Sequence, residues 1–130
     1  MRRVIRRRFI ALAAVAALTA VLHTNRSEGT PAAAISGEIV ETFCWAKLKV
    51  GGTAHSSCGI ECAKRGIPVA VFDKKSGKVF VLLPGRSKMA VPSELVAMMG
   101  QQATIRGEII TRGESSFLMV DSWKLAGASR

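Results

Sequence analysis

The chain has 130 residues, 48% of them hydrophobic and 5% aromatic, with 19 basic and 9 acidic residues and a formal net charge of +10. That length has room for one domain of ordinary size and no more. The charge is a poor argument for a nucleic-acid partner, because six of the arginines and one glutamate precede Ile35, and the remaining 13 basic and 8 acidic residues carry only +5.

The first residues have the grammar of an export signal. Met1–Arg8 holds five arginines and no acid, and Phe9–Leu22 is apolar or small throughout except for Thr19. As a helix that run spans about 21 Å, short of the ~30 Å hydrocarbon core. Pro31-Ala32-Ala33-Ala34 then offers an A-x-A cleavage site after Ala34. The expected layout is a leader over 1–34, a folded domain over 35–126 and a tail over 127–130. Basic residues stay on the cytoplasmic side, so the domain is expected to be periplasmic or otherwise extracytoplasmic. Without cleavage, the leader becomes a membrane anchor and the sole membrane attachment. Arg6-Arg7-Arg8-Phe9-Ile10 reads R-R-x-F-I, which resembles the twin-arginine signal, and ordinary secretion stays open beside it.

After the leader, Gly37–Lys49 reads as a strand on its β-branched and aromatic residues (Ile39, Val40, Thr42, Phe43, Trp45), broken by Gly51-Gly52. His55–Arg65 reads as a short helix with Gly66 as its C-cap and Pro68 beyond. Val69–Asp73 and Lys78–Leu83 form a hairpin around Lys74-Lys75-Ser76-Gly77. A second helix opens at Pro92-Ser93-Glu94, with Ser93 as N-cap, and runs to Gly100. Ala103–Thr111 alternates, with Ile105, Gly107 and Ile109 on one side, and Ser116–Leu125 returns as the last strand. The fold class is therefore mainly β with two short helices. Its order is that of an OB-fold-like five-stranded barrel with a Cys/His-bearing helix inserted after the first strand.

Chemistry concentrates in Cys44, His55, Cys58 and Cys62, spaced C-x10-H-x2-C-x3-C. On a helix, positions 55, 58 and 62 fall within an arc of about 60°, and Gly51-Gly52 allows Cys44, near the end of the first strand, to fold back against that face. Three thiolates and one imidazole make a closed, soft site for one ion, zinc or copper(I). Two other readings stay open. Cys58 and Cys62 can form a thiol–disulfide redox or electron-transfer pair, strained at helical i, i+4 spacing. Alternatively, Cys44 can bond one of them and merely staple an interaction domain, at the cost of an odd free thiol. The C-x3-C spacing with a distant histidine is similar to the site of Sco-type copper chaperones, in the site alone.

Met98 and Met99 read as core rather than copper ligands, and Phe72 and Phe80 as core rather than stacking platforms. Trp45 is placed either to shield the site or to fill the core. There is no nucleophile–base pair, no paired carboxylates and no phosphate loop, so catalysis has few parts to draw on. Export argues against nucleic acid, and the partner expected is an unspecified protein of the cell envelope. The stretch from Gly37-Glu38-Ile39-Val40 through Cys44, His55, Cys58, Cys62, Gly66, Ile67 and Pro68, and on through Ala103–Val120, resembles a group of small exported bacterial OB-fold-like proteins carrying C-x10-H-x2-C-x3-C…G-x-P. That resemblance implies the fold and the four-residue constellation, and no activity.

Overall fold

The computed structural model describes residues 32–127. The leader expected over 1–34 lies outside the described residues except for its last three, and so does most of the tail. No helix among the described residues is long and apolar enough to cross a membrane.

Five strands close into a barrel: β1 (Ala33–Glu41), β2 (Val69–Asp73), β3 (Lys78–Leu83), β4 (Gln102–Arg112) and β5 (Ser115–Leu125), in the order β1-β2-β3-β5-β4 and back to β1. Every pairing is antiparallel except β3 with β5. Helix α1 (Ser56–Lys64) lies between β1 and β2, and α2 (Ser93–Val96) between β3 and β4. This is the OB connectivity expected from the sequence.

Closure follows from alternation. Ile39, Val71, Ile105 and Leu118 are fully buried and meet in one core with Phe80, Leu82 and Leu95. β1 starts at Ala33, two residues before the expected cleavage point, with Ala33 opposite Gly107 and Ala34 opposite Arg106. A bulge between Arg106 and Gly107 leaves Asp121 as the extra residue on β5. The alternation that buries Leu118 and Val120 thereby skips one place, and Trp123 packs against the core. Both hairpin strands match their expected limits. Asp73 sets the turn by accepting the Lys75 N–H (2.9 Å) and the Ser76 hydroxyl (2.6 Å), while Gly77 takes a positive φ of 71°.

Three local expectations need correction. The first strand does not run to Lys49. It ends at Glu41, and Cys44–Leu48 coil into a single π-helical turn closed by Lys49 at a φ of 57°. Glu41 is the cause: its carboxylate accepts the N–H groups of Phe43 and Cys44, a local bond that competes with the extended ladder. The first helix does not include His55, which ends a 3₁₀ turn, Thr53–His55, and sits at φ −103°, ψ 3° just before α1. The second helix is one turn long, ends at Val96, and has Pro92 rather than Ser93 at its N-cap. The described residues thus hold two short α-helices, as expected, plus two additional helical turns, both of them between β1 and α1.

Candidate metal centre

The centre is assembled on one side of the barrel from the end of β1, the π turn and α1. Cys44 opens the π turn and is 3% exposed. Cys58 and Cys62 lie four residues apart on α1 and so share a face. Cys58 is exposed and Cys62 half-buried. Gly66, at φ 95°, ends the helix: the Ile67 N–H is donated to the Cys62 carbonyl (3.2 Å) and the Gly66 N–H to that of Ala63 (3.0 Å).

What brings α1 to the strand is Gly59. It is buried, and a Cβ there would lie 2.7 Å from Met99 Cγ and 3.7 Å from Glu41 Cβ. The glycine beside Cys58 therefore permits close packing. As a result the Sγ atoms of Cys44, Cys58 and Cys62 all lie within 4.8 Å of one another, and all three thiols are free.

His55 is not part of that sulfur cluster. Sitting before α1 rather than in it, the residue loses the helical phase that would align it with Cys58 and Cys62. It lies beside Cys44 nonetheless: with Glu41, Cys44, Gly59 and Met99 it lines a cavity of about 10 Å³, and its Nε2 is buried without a hydrogen-bond partner. An unsatisfied buried polar atom typically costs about 1–3 kcal/mol, and a ligand bond would remove that cost.

Glu41 is the residue that sequence reasoning missed. It is 2% exposed at the inner end of β1. Burial pushes its carboxyl up, but the Cys44 thiol, the N–H groups of Cys44 and Phe43, and nearby His55 together hold it below the usual range. Cys44 responds in the opposite sense. Its hydrogen bond to Glu41, its burial, the Glu41 charge and the neighbouring Cys62 push its thiol up to about 12. A thiol so placed stays protonated until a cation displaces the proton. In the metal-free protein we therefore expect maleimide to modify Cys58 first, Cys62 next and Cys44 far more slowly near pH 7.5. Peptide mass mapping over a time course checks that order, and rapid labelling of Cys44 would contradict the burial and charge assigned to it.

The donor set fits a soft ion. Tetrahedral zinc with Zn–S near 2.3 Å holds its sulfurs about 3.8 Å apart, inside the observed spread. The other residues singled out by sequence have ordinary roles. Met99 is core, Met98 packs against it, and Phe80 is buried. Trp45 meets Phe72 with ring centroids 5.1 Å apart at a 50° tilt. The pair lines an open groove of about 590 Å³ with Glu38 and Lys74. No protein-family model, no curated protein and no solved structure matches the chain.

Proposed function

We propose that this chain is an exported metal-binding protein that holds one soft ion, zinc or copper(I), through Cys44, Cys58 and Cys62, with His55 as the fourth ligand. Its role is structural or in metal handling within the cell envelope. The observation that carries the reading is the convergence of three free thiols, from two separate elements, to within 4.8 Å. Two thiols would suffice for a disulfide, whereas a metal site uses all three. His55 adds a donor whose buried Nε2 has no other partner. The export half of the proposal rests on the arginine-rich start and apolar run at residues 1–22.

The deciding experiment is metal and thiol analysis of the protein exported to the periplasm and purified without chelators. One equivalent of zinc or copper per chain is expected, with three thiols recovered when the metal is stripped under denaturing conditions. No metal and a single free thiol would instead establish a disulfide and return the protein to the redox or stapled-domain readings.

A further inference from the structure

Two carboxylates are buried on β1, and their surroundings differ. Glu38 is 8% exposed, accepts the Gly52 N–H at 2.5 Å, and has the ammonium of Lys74 at 3.9 Å. Glu41, three residues on, is 2% exposed and has no lysine or arginine partner among the described residues. Both of its oxygens accept backbone N–H groups, one from Phe43 and one from Cys44, the latter at 2.9 Å. A buried carboxylate is costly unless a positive charge answers it, and buried charges in proteins are paired or face metal ions. His55 lies near Glu41 as well, but an imidazole that ligates a metal is neutral, so in the loaded protein the cation that answers Glu41 is the ion in the sulfur cluster, whose innermost member, Cys44, hydrogen-bonds to this carboxylate.

We propose that Glu41 is a specificity-determining residue of the centre, its buried carboxylate biasing the thiolate cluster toward a doubly charged ion, zinc(II), over singly charged copper(I). The proposal rests on the metal-binding reading above and deepens it. Three thiolates and Glu41 bring four negative charges together. A monovalent ion leaves three of them unanswered and a divalent ion two. With the carboxylate about one thiol away from the ion, the extra unit of charge shifts the preference by roughly ten- to a few-hundredfold, depending on the local dielectric. Glu41 does not ligate. It holds Cys44 in place through the backbone and sets the charge that the ion must balance.

The test measures zinc(II) and copper(I) affinities by competition with chromophoric chelators, under anaerobic reducing conditions. The proteins compared are the wild type, Glu41→Gln, Glu41→Asp and Glu38→Gln. Glu41→Gln should lower zinc affinity at least tenfold more than copper(I) affinity. Glu41→Asp, which keeps the charge, and Glu38→Gln, which removes a buried charge already paired with Lys74, should both keep the wild-type ratio. An equal loss of both metals in Glu41→Gln, or a change of ratio in Glu38→Gln as large as in Glu41→Gln, would overturn the assignment and leave Glu41 as a support for the π turn. Should Glu41→Gln fold only when loaded, the ratio is read from exchange of one ion for the other in the loaded variant. A shift toward copper(I) then supports the assignment, and an unchanged ratio overturns it. A wild-type protein that binds neither ion is a separate result, and it removes the metal-binding reading itself.

Discussion

Cys58→Ser is expected to weaken metal binding by on the order of a hundredfold or more while leaving the metal-free fold intact. Cys58 is exposed and makes no buried contact on which the barrel depends. Serine is nearly isosteric, and an exposed helix position tolerates such a change within about 0.5 kcal/mol. The same substitution removes one of three thiolates from the cluster, and a serine hydroxyl is a poor replacement for a soft donor. The two halves of the result are measured separately, by competition titration for the metal and by urea denaturation of the stripped protein for the fold. Equal affinity in the variant and the wild type would take Cys58 out of the centre. A large loss of metal-free stability would mean that α1 depends on the side chain in some way its exposure does not suggest. Because this position separates binding from folding, it is more informative than Cys44, whose burial at the start of the π turn ties the two together.

Gly107→Ala should have the largest effect on the barrel, lowering stability by on the order of 3 kcal/mol and the unfolding midpoint by roughly 10 °C or more. Gly107 sits at the bulge where β4 changes register against β5. A Cβ there would collide with the carbonyl oxygen of Met119 and fall 2.9 Å from its carbonyl carbon. Those are backbone atoms held in the ladder, so the clash cannot be relieved by turning a side chain. The strands would have to separate where β1, β4 and β5 meet, since Gly107 also faces Ala33. Calorimetry of the stripped protein checks the value. A loss below about 1 kcal/mol would mean that the bulge is soft enough to move.

Periodicity and turn chemistry are legible in the chain where the physics is local. The hairpin can be placed to the residue because β-branched runs flank a turn written in Asp73, Ser76 and Gly77. The last two strands are legible because inward residues recur at every second position, and the barrel order follows from the succession of elements. The spacing of Cys58 and Cys62 likewise places both on one face of a helix that Gly66 ends. Trp123 is harder, since the bulge that turns it inward is a property of two paired strands.

The segment from Thr42 to His55 defeats a local reading for an identifiable reason. Thr42, Phe43 and Trp45 have strand-forming side chains, but propensity on that scale is smaller than what Glu41 supplies by taking two backbone donors at once. A lone glutamate at the end of an apolar run carries no sign in the sequence that it will fold back onto the next two N–H groups. His55 falls one residue short of the helix: Gly52 accepts its N–H, the chain makes a 3₁₀ turn, and the α-helical phase starts one position later.

Sequence alone therefore determined four of the barrel's five strands, the order of all five, and the presence of three thiols at spacings compatible with one soft ion, because side-chain alternation and helical repeat act over a few neighbouring residues. The tertiary structure decided that the three sulfurs come within 4.8 Å of one another, that His55 lies against the cavity beside Cys44 and outside their cluster, and that Glu41 is a buried anion with no lysine or arginine partner among the described residues. Those outcomes depend on how closely α1 approaches β1 across Gly59 and Met99. That distance is set by packing between segments far apart in the chain, which no local pattern encodes.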